Sequence, residues 1–196
     1  MNVDPNAATT SFPAPPPRPR QRAAVFLVPA LAAAAVAVAL GAYGRVHDPA
    51  GTAFNLAGFS STGAVKAWLA TAAFALALVQ AASALVMYGK VPGVRAPSWT
   101  GGLHRWSGRA AFLLTVPVAV HCLYALGYQT YSGRVLWHSL VGCFFFGTFT
   151  AKMLLLRAER LPDRLLPFVG GLVFTALTVL WLTSALWFFR TVGVTT

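Results

Sequence analysis

Long uncharged apolar runs constrain this chain more than any other feature. No Lys, Arg, Asp or Glu occurs between Arg22 and Arg45, Lys66 and Lys90, Arg109 and Arg134, or Arg164 and Arg190. Each run exceeds the ~20 residues that an α-helix needs to cross the hydrocarbon of a bilayer. A fifth run, Val135 to Ala151, reaches Leu156 if the Lys152 side chain snorkels to the interface. Charged residues make up 10% of the 196 and hydrophobic ones 57%, whereas a soluble domain carries about 25% charged. The expected fold class is all-α: a polytopic membrane helix bundle. It has five transmembrane helices, at about 23–43, 64–88, 103–128, 134–156 and 165–189, in one domain over 23–190.

The net charge of +11 invites a nucleic-acid reading, but the positions of the charges argue against one. Eleven of the fifteen basic residues fall in the N-terminal segment or in the loops after the second and fourth spans and the span ends that border them. Only Arg45, Lys66, Arg134 and Arg190 lie on the other side. That asymmetry places the N-terminus in the cytoplasm and the C-terminus outside. The basic clusters then serve topology and anionic head groups, and no nucleic-acid partner is expected.

Residues 1–22 are rich in proline and small polar residues and read as a disordered cytoplasmic tail. Residues 191–196 form a short external tail. The first span is alanine-rich, suited to close helix packing, and Pro29 should kink it. Gln80 and Ser83 of the second span can hydrogen-bond across helices. Thr100 is the expected N-cap of the third helix. Trp181 and Trp187 match Trp68 and Trp137 in an outer aromatic layer, and the fifth span reads as scaffold. Cys122 and Cys143 match no metal spacing and read as small packing residues.

Three of the four histidines, His104, His121 and His138, lie in the third and fourth spans. An ionisable residue within a span marks a functional site by default. His121 lies about 10 Å below the outer end of its span and His138 about 6 Å below, at 1.5 Å per residue. The short turn at 129–133 implies antiparallel neighbours, with both imidazoles in one outer layer. Facing imidazoles suit haem iron. Gly142, one turn below His138, leaves room for a flat macrocycle. Arg134, one turn above, suits a propionate. Adjacent helices are a tight fit for haem, so each histidine has the option of pairing elsewhere, for instance with His47 beside Asp48. His104 lies about 25 Å from His121 and would need a second, inner haem; Met87 and Met153 are the soft residues at that level.

The segment HRWSGRAAFLL, then His121, then LWHSLVGCFFFG, resembles cytochrome-b-type, ferric-reductase-like transmembrane haem proteins over about residues 103–152. The resemblance implies that His121 and His138 ligate haem b on consecutive helices. The family supplies four ligands for two haems, and the inner set here is incomplete. The whole chain also resembles an actinobacterial polytopic membrane family without an assigned function, implying a multi-pass protein of a bacterial plasma membrane.

The expected function is a b-type cytochrome-like subunit carrying electrons within or across the membrane, between a redox partner protein and possible quinol. It is a subunit rather than a complete enzyme, because no nucleotide-binding glycine motif is present. The alternative is a membrane anchor or assembly subunit without haem. A small transporter is disfavoured because no span holds an acidic residue.

Overall fold

The computed structural model describes residues 19–51, 58–158 and 161–195. Its described residues form five long helices and no strand: α1 (Pro19–Val46), α2 (Thr62–Met87), α3 (Thr100–Leu126), α4 (Gly133–Leu155) and α5 (Leu165–Thr191). All five are long and apolar enough to cross a membrane. The five-span, all-helical reading holds. The tail expected at 1–22 lies outside the described residues as far as 18; α1 begins at Pro19, a residue whose fixed φ suits a first helical turn.

Large apolar side chains remain on the outside of the bundle, among them Leu31 and Val38 of α1, Leu113 of α3 and Phe168 of α5. In water that surface would be costly; in lipid it is the solvated face. The interior is instead built from small residues, with Ala64, Ala73, Ala125 and Ala185 almost fully buried. Without a hydrophobic drive between helices, close backbone approach and polar contacts must hold them.

α2 and α3 pair along their length, α4 lies between α1 and α5, and α5 also meets α2. The neighbour order is therefore α1, α4, α5, α2, α3. α3 and α4, expected to pack as direct neighbours because their turn is short, lack close backbone packing and meet instead through side chains. Phe112 of α3 stacks on Phe149 of α4 (ring centroids 3.9 Å apart, planes within 8°) and meets Phe146 edge-on. These rings fill the inner half of the space between the two helices and leave the outer half open.

The α2–α3 pair is held by polar residues at its inner end. Gln80 Nε2 donates to the His104 carbonyl and to Ser107 Oγ (3.1 Å). Gly108 permits this, since a Cβ there would stand 2.8 Å from Gln80 Nε2. The cross-helix role expected for Gln80 and Ser83 is thus present. Gln80→Leu should cost about 1–2 kcal/mol, read as an earlier unfolding midpoint in an SDS titration of mixed micelles.

Ser61 caps α2 and Ser132 caps α4 through bonds to Ala64 N (3.1 Å) and Val135 N (3.3 Å). Thr100 does not cap α3. Its amide bonds Pro97 O (3.0 Å), so the turn winds into the helix one residue early and Trp99 takes the cap position without a side-chain bond.

Candidate functional site

A cavity of about 550 Å³ occupies the outer half of the space between α3 and α4. That volume falls within the ~300–1,000 Å³ typical of small-molecule sites. Thr115, Ala119 and Cys122 of α3 line one wall, Arg134, His138, Gly142 and Cys143 of α4 another, and Lys66 and Ala70 of α2 and Leu180 and Thr183 of α5 complete it. Tyr128, Gln129 and Tyr131 from the α3–α4 turn also border it.

Two departures from α-helical geometry flank this cavity. Over His121–Leu126 α3 widens into a π-helical turn, and over Leu182–Leu186 α5 does the same. Both contribute to the wall, through Cys122, Leu123 and Leu126 and through Thr183, Ser184 and Ala185. Single π turns inside helices occur frequently at functional sites. In α3 the π turn follows Pro117, which lacks the amide that would bond the carbonyl one turn back. The amide of His121 is shared between Pro117 O and Val118 O at the transition.

The first turn of α1's outer loop closes over α3. His47 stacks between Tyr43 and Tyr124, with both ring centroids 5.0 Å away, and its Nε2 bonds Tyr124 O (3.2 Å). Ala50 N and Gly51 N bond Tyr124 O and Ala125 O (3.2 and 3.0 Å). These carbonyls belong to the π turn, whose altered ladder leaves them accessible to the loop. His47 therefore fastens a loop; it is not placed among the cavity residues.

His138 is the histidine that faces the cavity. Its Nδ1 lies 2.9 Å from Thr183 Oγ1. Arg134, one turn toward the outer end, donates from Nη1 to Thr183 O (2.6 Å) and sits over the Trp187 ring at 3.8 Å. Gly142 lines the same wall, where an added Cβ would only touch Leu180 at 3.8 Å. His138, Gly142 and Arg134 thus share one face of α4 on one cavity, although Arg134 is occupied by α5. The fifth helix, expected to be bare scaffold, supplies the partner of both polar residues.

His121 is buried at 6% exposure within the π turn, while its neighbours Cys122 and Leu123 reach the cavity wall and it does not. His104 lies at the inner end of α3, bonded through Nδ1 to Ser83 Oγ (2.9 Å). The three histidines are therefore not brought together. Among the described residues no group of three or more His, Cys, Asp or Glu is placed to hold a metal ion.

Lys66 and Thr183 escaped the sequence reading. Lys66 lies five residues into α2 and lines the cavity. A lysine just inside an apolar run was a usable signal. Thr183 had none beyond a polar pair, Thr183–Ser184, near the outer end of an otherwise apolar helix. Trp68 and Trp181, expected in an outer aromatic layer, donate within the protein, to Thr195 O (2.9 Å) and to Thr71 Oγ1 (3.0 Å).

No curated protein and no solved structure matches the chain. Over residues 26–196 it matches the model described as a family of unknown function (DUF6529), and the chain belongs to that family.

Proposed function

We propose that this protein is a membrane-embedded, b-type cytochrome-like subunit that carries electrons, with His138 as the residue that would hold a haem in the outer cavity. The observation that supports this most is one imidazole on the wall of an apolar cavity, with its Nδ1 engaged by a neighbouring helix. Metal-ligating histidines characteristically have the second ring nitrogen held in this way. Haem would supply one-electron chemistry at a potential set by its axial ligation and surroundings. The chain's own residues do the remainder. Gly142 keeps the α4 wall flat, the alanines and leucines exclude water, and Lys66 and Arg134 put positive charge beside the space where carboxylates would lie. The resemblance of residues 103–152 to cytochrome-b-type helices points the same way.

The site differs from the facing-imidazole pair expected from the sequence. α3 offers Cys122, Ala119 and Thr115 opposite His138, not His121. A haem here would be held by one histidine of this chain, His138. Its electron partners are a membrane or peripheral redox protein, or quinol.

One observation favours a second reading, an anchor or assembly subunit without haem: Arg134 and His138 already have partners on α5. A dithionite-reduced minus oxidised spectrum of protein made with ample haem decides between them. A sharp b-type α band supports the cytochrome; a flat difference spectrum leaves the anchor.

A further inference from the structure

His138 and His104 sit at opposite ends of the bundle, yet the same small device holds each of them. Thr183 Oγ1, on α5, donates its proton to Val179 O at 2.7 Å, with Leu180 O at 3.3 Å as a minor acceptor. A hydroxyl has one proton to give. With that proton committed to its own helix, Thr183 can meet His138 Nδ1 at 2.9 Å only as an acceptor. On that hydroxyl assignment His138 carries its proton on Nδ1, and Nε2 is left with its lone pair. At the inner end Ser83 Oγ donates to Gln80 O (3.0 Å) and meets His104 Nδ1 at 2.9 Å. The same reasoning puts the His104 proton on Nδ1.

The His138 Nε2 has no hydrogen-bond partner among the described residues, and it is not among the polar atoms sealed from solvent without one. His138, which lines the cavity, thus keeps an unprotonated and unpartnered Nε2. Left alone, a neutral imidazole side chain prefers its proton on Nε2, the form that cannot ligate through that atom. Some local group has to reverse that preference, and the hydroxyls do so.

We infer that Thr183 and Ser83 are positioning residues that fix His138 and His104 in the Nδ1-protonated tautomer, making the His138 Nε2 a ready Lewis base for an iron-type centre. This deepens the cytochrome reading by naming what prepares its ligand, and it holds in the protein before any haem is added. Arg134 completes the outer device. Its bond to Thr183 O and its seat over Trp187 tie α4 to the π turn that carries the hydroxyl.

The test is ¹⁵N NMR of the full-length protein, labelled at histidine and reconstituted in lipid without haem. His138→Gln and His104→Gln assign the signals. In the wild-type protein both residues should show a protonated Nδ1 and an unprotonated Nε2. Thr183→Val removes the hydroxyl at nearly constant shape and should move the His138 tautomer ratio about tenfold toward Nε2–H, the equilibrium worth of one hydrogen bond. Thr183→Ser should restore the wild-type ratio, which a merely structural loss would not do. Ser83→Ala should shift His104 and leave His138 unchanged. Wild-type signals with the proton on Nε2, or a Thr183→Val ratio equal to wild type in a protein with an unchanged helical spectrum, overturn the inference. A correct tautomer beside a flat haem spectrum would overturn the cytochrome reading alone.

Discussion

His138→Ala should abolish the b-type α band of the proposed haem, while His121→Ala should retain it. Sequence depth alone makes the two histidines equivalent, because both lie in the outer layer of consecutive helices. The structure separates them. His138 lines the cavity beside Gly142, whereas His121 is buried in the π turn with only its neighbours on the wall. Removing a group that positions a ligand typically costs about 10–100-fold in metal affinity, so removal of the ligand itself should exceed that range. The measurement is haem titration of purified wild type, His138→Ala and His121→Ala, followed through the reduced-minus-oxidised spectrum. Equal loss of the band in both variants would restore the facing pair. Retention in His138→Ala would move the ligand elsewhere.

The contrast between those residues shows what the sequence carried and what it did not. The spans were legible because each apolar run outlasts the hydrocarbon, and helices answer the need to satisfy every backbone group in lipid. The cross-helix role of Gln80 and Ser83 was legible too, since a polar side chain in an apolar run needs a partner. The neighbour order was not. A short turn implies contact between the helices it joins, but Gly127 takes a positive φ of 71° and three phenylalanines keep α3 from α4. Once α3 is paired with α2 instead, the face of α3 that meets the cavity is set by α2. It falls on Thr115, Ala119 and Cys122, and His121 turns elsewhere. Thr183 was illegible for a related reason. A threonine inside a helix ordinarily bonds its own carbonyl, and only the approach of α4 turns the remaining lone pair into a partner for His138.

The cavity depends on where α4 is seated, and α4 is seated against α1 by a contact that leaves no tolerance. A Cβ built on Gly147 would stand 2.5 Å from Ala33 O and 3.2 Å from the Ala37 Cβ. One turn outward, Gly41 of α1 faces Cys143 Sγ at 3.7 Å from its own hypothetical Cβ. Ala33, Ala37 and Gly41 recur every four residues, so one small-residue stripe of α1 runs along Cys143 and Gly147 of α4. Such a stripe lets two backbones approach closely enough for dispersion to hold them where no hydrophobic drive exists. Because the obstacle at Gly147 is backbone, no side chain can swing aside. Gly147→Ala should therefore destabilise the fold by about 1–3 kcal/mol, the range for overpacking, and Gly147→Leu by more. Gly170 and Gly171 of α5 supply the control. They are helical and have nothing within 4 Å of an added Cβ, so alanine there should be neutral or stabilising by up to about 1 kcal/mol. SDS-induced unfolding followed by circular dichroism compares the variants. A Gly147→Ala midpoint level with wild type would mean that α1 yields to α4, and the cavity wall built on that seat would then be adjustable rather than fixed.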